Sequence, residues 1–252
     1  MSRAQALLEV HAAVVRAGPR VLVRELDLRV HAGQRWAVIG RNGAGKSTLL
    51  RLLAGLHAQQ GARLSLAGQP MARLSPAQLA GRRAYMPSVP HDRFGITVLD
   101  AVMLGQREPD GARALEQLRR VDADALARRS LLGLSAGERQ RVALAQVMAQ
   151  GAALLLLDEP ASFQDPRHQT AVAGMLRAQV PVDAPGALVC SAHDLNWVAS
   201  LATHVLALLP DGGWRGGAAA EMLSAELLQQ VYGCAWQRIP RDGRSDLWVA
   251  LD

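Results

Sequence analysis

Nine consecutive residues, Gly40-Arg41-Asn42-Gly43-Ala44-Gly45-Lys46-Ser47-Thr48, contain the eight-residue pattern G-x-x-x-x-G-K-[ST] without a mismatch. Glycines let a backbone curl until successive N–H groups point at one anion, and the positive end of a following helix adds to the attraction. In such a cradle Lys46 would reach the β- and γ-phosphates of a nucleotide, and the Ser47 hydroxyl would hold Mg²⁺. Composition points the same way. Lys46 is the only lysine in the chain, and the other 27 of its 28 basic residues are arginines. A lysine stands where a compact ammonium must fit between phosphates.

A second stretch with chemistry in it is Leu154-Leu155-Leu156-Leu157-Asp158-Glu159. Four leucines in a row suit a strand buried on both faces of a parallel sheet, and ligands of such sheets bind where the strands end. Asp158 is placed to hold Mg²⁺, directly or through water, and Glu159 to orient or deprotonate an attacking water. His193 stands just beyond another apolar run, Gly186–Ala192, where it can meet a γ-phosphate. Ser135-Ala136-Gly137-Glu138 has the S-x-x-E spacing of a capping box, so a helix starts there and runs to Gln150-Gly151.

The elements that must position these groups are legible in outline. Trp36-Ala37-Val38-Ile39 reads as the strand entering the glycine loop, and Leu49, Leu50, Leu52 and Leu53 as the packed face of the helix leaving it, which stops at Gly55. Upstream, period-two alternation from Leu8 to Val30, punctuated by Gly18-Pro19 and Gly33, predicts an antiparallel hairpin or small sheet against the base of the nucleotide. Ala62–Gly68 reads as a strand with a turn, Ser75–Arg83 as a helix opened by Pro76, and Ala84–Pro87 as a buried strand running into a loop. Between Ser88 and Gln150 the composition shifts to Ala, Leu, Arg and Glu at helical spacing, which predicts helices over Val98–Leu104, Gly111–Val121 and Asp122–Arg129. After Asp211 the pattern predicts a glycine-rich turn through Gly212-Gly213 and Gly216-Gly217, a helix from Ala219 to Tyr232, and a β-like end at Leu247–Leu251.

The bulk numbers bound the class. Half of the 252 residues are apolar, ample for a core. No apolar run approaches the ~20 residues that span a bilayer, and Met1–Gln5 leads into a mixed segment unlike a secretory leader, so a cytosolic location is expected. Cys190 and Cys234 form no paired motif, and Cys190 reads as a buried strand residue. The net charge of +6 resides in scattered arginine pairs without interleaved aromatics, which argues for solvated faces over nucleic-acid binding and also suits an anionic membrane surface.

With these motifs in order, the chain resembles the ATP-binding subunits of ABC transporters over nearly its whole length. Gly40–Thr48 resembles their Walker A, Leu134-Ser135-Ala136-Gly137-Glu138 their signature motif, Leu154–Glu159 their Walker B, Ser162-Phe163-Gln164-Asp165 their D-loop, and His193 their switch histidine. The resemblance implies an α/β fold with a RecA-like P-loop ATPase core, a mostly parallel sheet, an antiparallel β-subdomain and an inserted helical subdomain. The corresponding boundaries are 1–88 and 151–210 for core and β-subdomain, 89–150 for the helical subdomain, and 211–252 for a C-terminal extension. It further implies ATP and Mg²⁺, with Lys46, Glu159 and His193 catalytic and Asp158 and Ser47 on the metal. Two copies would dimerise head to tail, Ser135 and Gly137 of one meeting the γ-phosphate held by the other. The expected partners are an integral membrane permease and, indirectly, a solute-binding protein, with the dimer peripheral on the inner membrane face and no nucleic acid bound.

Within the family the chain is most similar to importers of ferric siderophores, haem and cobalamin, on Arg83–Pro87, Gly95–Leu99 with Leu104-Gly105, Asp165–Gln169 and Leu227–Gly233. Three positions depart from the pattern. Ser88 stands where a glutamine would reach Mg²⁺ or the attacking water, Ala17 near where an aromatic ring stacks on adenine, and Ala136 in place of the signature's first glycine. Slow to normal hydrolysis is expected, because Lys46, Asp158, Glu159 and His193 all remain. The alternatives are an exporter's ATPase, a soluble ABC ATPase acting on nucleic acid, and a module that closes on ATP without turning it over.

Overall fold

The structure is a computed structural model that describes residues 5–57, 62–90 and 95–251. The leaderless start expected over residues 1–4, and residues 91–94 of the expected insertion, lie outside the described residues. The first elements are the antiparallel pair β1 (Leu8–Ala17) and β2 (Arg20–Val30), turned at Gly18. Their alternation is not continuous. The buried set is Leu8 and Val10, then Ala13 and Val15, because a bulge at Ala12 (φ 49°) inserts one residue and shifts the inward phase.

β3 (Arg35–Ile39) opens the principal sheet, and α1 (Lys46–Leu53) follows it. β4 (Arg63–Leu66) and β5 (Gln69–Pro70) complete a four-stranded antiparallel sheet in the order β2-β1-β4-β5. α2 (Pro76–Ala80) starts at the Ser75 capping box with proline in its first turn, and β6 (Arg83–Met86) follows. Then come α3 (Val98–Met103), α4 (Gly111–Arg120) and the long α5 (Ala136–Gln150), which together form the inserted helical region. The remaining elements are β7 (Leu154–Asp158), α6 (Pro166–Gln179), β8 (Ala187–Ser191), α7 (Leu195–Leu201), β9 (His204–Leu208), β10 (Trp214–Ala218), α8 (Ala219–Met222), α9 (Ala225–Tyr232), β11 (Trp236–Ile239) and β12 (Leu247–Ala250).

The principal sheet runs β10-β9-β3-β8-β7-β6, parallel throughout except for the antiparallel edge strand β10. Its two faces belong to different cores, and this explains the leucine run. Leu155 and Leu157 pack with the helical region, α6 and α7, whereas Leu154 and Leu156 pack with α1 and the antiparallel sheet. β3 divides in the same way, Ala37 and Ile39 against Trp36 and Val38. Each such leucine contributes roughly 1.5–3 kcal/mol on burial, which fixes the strands whose ends carry the polar groups.

Three expectations are corrected. Asp122–Arg129 is not a helix but a single 3₁₀ turn over Asp124–Leu126, since Asp122 sits at φ 55° and the carbonyls of Ala127 and Arg129 accept from Leu99 and Val98 instead of from a next turn. The helix expected over Ala219–Tyr232 is broken at Leu223-Ser224, where the Ser224 hydroxyl accepts from Leu227 N and caps α9 as a separate helix. Gly216 and Gly217 lie within β10 rather than in a turn, and a Cβ on Gly216 would meet the Trp36 ring at 3.4 Å.

Candidate functional site

The site is assembled at the carboxyl ends of β3, β7 and β8, neighbours in the sheet. As the chain leaves β3 it turns through Gly40–Gly45, with Gly43 at φ 77° and Gly45 at φ 103°. A Cβ on Gly45 would lie 2.9 Å from Leu22 Cβ, so conformation and space both require glycine there. Lys46 starts α1 and folds back over the loop, its Nζ donating to Gly40 O at 2.8 Å and Arg41 O at 3.2 Å. It is only 6 % exposed, and burial pushes its pKa down while Glu159 and then Asp158 push it back up. An ammonium has three protons, and two are used on the loop. Gly45 is the N-cap of α1 and no side chain caps it, so the first-turn N–H groups are left without a side-chain acceptor. Ser47 and Thr48 are half-buried in that turn, and Arg41, Asn42 and Ala44 form the outer rim of the loop.

β7 delivers Asp158, wholly buried, at its last position. Asp158 Oδ1 accepts from the Ser191 hydroxyl at 2.6 Å, and the same hydroxyl accepts from Glu159 N at 2.9 Å. Oδ2 of Asp158 is buried with no hydrogen-bond partner. A lone carboxylate oxygen in that position costs several kcal/mol unless a cation or a water meets it. Glu159, at φ 52°, turns out of the strand and presents its carboxylate to solvent's edge. Oε2 accepts from the Ser162 hydroxyl at 2.9 Å, and Oε1 lies 2.6 Å from His193 Nε2, close enough to receive its proton. Asp194 caps α7 immediately beyond and fixes the direction of the chain that carries His193. Glu159, Ser162, Ser191 and His193 line a cavity of about 120 Å³, room for a few water molecules beside the carboxylate.

Ser135 and Glu138 form the expected capping box: Glu138 N donates to Ser135 Oγ at 3.3 Å and Ser135 N to Glu138 Oε2 at 2.7 Å. Those bonds, with Arg129 nearby, hold the Glu138 carboxyl below its usual range. Ser135 and Ala136 are exposed, and neither Ser135 nor Gly137 touches Lys46 of the same chain. The helix tip is tied to Glu159 instead. Gln140 Nε2 donates to Glu159 O at 2.8 Å, and Gln164 Nε2 to Gly137 O at 2.8 Å. Ser88 lies in the bend after β6 and makes no hydrogen bond to Asp158, Glu159 or His193. Ala17 ends β1, exposed, opposite Arg20.

The structure thus brings Lys46, Asp158, Glu159 and His193 together, leaves Ser88 unbonded to them, and joins α5 only to the backbone beside Glu159. Sequence reasoning missed Ser191, Gln140 and the side-chain bonds of Ser162 and Gln164. Ser191 left a signal, a polar residue closing an apolar strand, but its partners are 32 and 33 residues away. Cys190 is fully buried as expected, and burial pushes its thiol up to about 12.

A glycine loop leaving the central strand of a parallel sheet, with lysine at the helix start and a carboxylate pair on a neighbouring strand, defines a P-loop nucleoside triphosphatase. The chain belongs to the ABC transporter family, as one of its ATP-binding subunits, for the family profile matches residues 23–162. The hemin import ATP-binding protein HmuV of Ruegeria sp. (strain TM1040) is 36% identical over 239 residues, 89% of this chain and 91% of that protein. The achromobactin transport ATP-binding protein CbrD of Dickeya dadantii (strain 3937) is 33% identical over 231 residues, 88% of this chain and 86% of its own length. Among solved structures, one described as an ABC transporter of the metal-chelate type in an inward-facing conformation superposes with TM-score 0.79 over 98% of both chains. At 24% identity that likeness concerns the fold alone. No helix among the described residues is long and apolar enough to cross a membrane.

Proposed function

We propose that this chain hydrolyses MgATP at the Lys46–Glu159 site to drive import of a metal chelate, haem or a ferric siderophore, through a separate membrane permease fed by a solute-binding protein. The observation that carries the chemistry is the Glu159 carboxylate, held by Ser162 and His193 at the edge of a cavity of about 120 Å³ and close enough to Lys46 for its charge to act on the ammonium. The cargo reading rests on relatives named for hemin import and achromobactin transport. The chain works as one nucleotide-binding unit, in which residues 89–150 serve as the helical arm and 211–252 as an extension.

The geometry supports the following roles. The loop N–H groups and the free proton of Lys46 bind the β- and γ-phosphates. Asp158 Oδ2, buried and unpaired, and the Ser47 hydroxyl would hold Mg²⁺, which when bound offsets charge developing on the phosphates. Glu159 orients a water and takes its proton. His193 holds the carboxylate and would meet the γ-phosphate of a bound nucleotide. The exposed tip of α5 offers Ser135 and Gly137 to the triphosphate of a second copy, so that the dimer closes on ATP and opens after cleavage.

The test is ATP turnover by the chain assembled with its permease. Glu159→Gln keeps the shape and removes the base, so turnover should fall by about 10²–10⁴ while nucleotide stays bound. A wild-type protein that neither binds nucleotide nor copurifies with a permease refutes the proposal.

A further inference from the structure

An open cleft of about 520 Å³ lies where the turn between β11 and β12 meets α6 and α7, and Arg177, Ser200, Arg241, Gly243, Arg244 and Ser245 line it. Three of these six are arginines, and among the described residues no carboxylate lines the cleft. Asp246, close by in the turn, is already taken: it accepts from Arg238 Nε and Arg241 N and pairs with Arg238 Nη2. Each guanidinium carries five N–H donors. Arg177 uses Nη1 on Ser200 O at 2.6 Å, and Arg241 uses Nε and Nη2 on Ser245 O at 2.9 and 2.6 Å. The Arg244 side chain has no partner among the described residues. Carbonyl oxygens orient these groups without cancelling their charge. A fourth guanidinium stands behind them. Arg35 donates to Leu201 O at 2.8 Å and to Val180 O at 2.6 Å, and burial, then the charge of Arg177, push its pKa down. The hairpin that presents Arg241 and Arg244 is fixed at its base. Asn196 of α7 donates to Trp248 O at 3.2 Å and accepts from Trp248 N at 2.7 Å, and the Trp248 side chain is buried.

We propose that this cleft is a second anion site, separate from the Lys46 loop, in which the guanidiniums of Arg177, Arg241 and Arg244 take the oxygens of a phosphate-bearing ligand. Arginine suits that task, because its planar fork gives two parallel N–H bonds to one phosphate and its charge persists at any physiological pH. Arginines scattered over a surface are ordinarily just solvated. Here three come from two separate parts of the chain, α6 and the hairpin turn, and line one concavity with their counter-charge missing. The volume falls within the ~300–1,000 Å³ of small-molecule sites, so the cleft admits a phosphate ester, an oligophosphate or a lipid headgroup as well as a single phosphate. A bound anion offsets the mutual repulsion of the guanidiniums and ties the hairpin turn to α6.

The experiment titrates inorganic pyrophosphate into the full chain by calorimetry, at ~0.15 M salt so that unspecific attraction is screened. Lys46→Ala, which disables the phosphate loop, is the parent, and Arg244→Gln alone and Arg177→Gln with Arg244→Gln are added to it. The parent should keep one binding event, weakened about tenfold by Arg244→Gln and abolished by the pair, since each lost guanidinium removes charge-assisted bonds. If the parent does not fold, wild type and Arg244→Gln are compared directly, the loop's contribution being common to both; Arg244 has no partner to lose. A second arm measures cosedimentation of the same variants with phosphatidylglycerol vesicles, against phosphatidylcholine vesicles as the neutral control. Pyrophosphate binding that falls in the arginine variants supports the site with a free anion as its occupant. Binding to phosphatidylglycerol alone that falls in the same variants supports it with a lipid headgroup as the occupant. No binding of either probe, or binding that the arginine variants leave unchanged, overturns the proposal.

Discussion

Ser191→Ala removes one oxygen that two buried groups share, and the cost can be worked from the structure. The hydroxyl donates to Asp158 Oδ1 at 2.6 Å and accepts from Glu159 N at 2.9 Å. Without it, a wholly buried carboxylate whose Oδ2 already lacks a partner has none at either oxygen. The bond to the charged group is worth about 1.5–3 kcal/mol, and an orphaned N–H costs about 1–3 kcal/mol, so allowing for partial rescue by a water the net loss is about 3 kcal/mol. For a chain of this length that lowers Tm by roughly 6–12 °C. The assay is thermal unfolding followed by circular dichroism, with and without MgATP. A cation meeting Asp158 Oδ2 relieves part of the penalty, so saturating MgATP should narrow the gap between variant and wild type. Ser191→Cys, similar in volume but a weak hydrogen-bonding partner, should resemble the alanine variant and so separate lost bonds from lost packing. A Tm for Ser191→Ala within about 2 °C of wild type refutes the reasoning, for it would mean the shared hydroxyl contributes under about 1 kcal/mol.

Three further outcomes are expected. Ala17→Tyr places a ring beside the open cleft of about 530 Å³ that Arg20, Leu22 and the loop residues Arg41–Ala44 line, and equilibrium titration should show ATP bound about two- to tenfold more tightly, with better discrimination against GTP. For Cys190, the thiol is buried and its pKa is raised from 9.0 to about 12, so under native conditions at pH 8 a thiol reagent should modify Cys234 alone and reach Cys190 only after denaturation. The sign of the linkage follows. The folded chain keeps a proton that the unfolded chain releases, so this group's stabilisation is full below pH 9 and is lost as pH rises toward about 12, and Cys190→Ala should flatten the stability profile over that window.

What the sequence by itself determined was whatever one short segment encodes. The glycine loop and Lys46 were legible because a phosphate cradle is built from consecutive backbone N–H groups, and the cap at Ser135 because both of its hydrogen bonds close within four residues. The run Leu154–Leu157 announced a strand buried on both faces, with carboxylates at its exit. Other features required the tertiary structure. The bulge at Ala12 and the break at Ser224 shift or interrupt patterns that read as continuous, since an inserted residue or a competing cap leaves the apolar count unchanged. β9 escaped notice because pairing with the distant strand β3, rather than local alternation, makes it a strand. The placement of Ser191 between Asp158 and Glu159, and of Gln164 on Gly137, was invisible for a related reason. A hydrogen bond fixes its partners within ångströms in space but leaves their separation along the chain free, so only the packing of β7, β8 and α5 decides which polar groups meet.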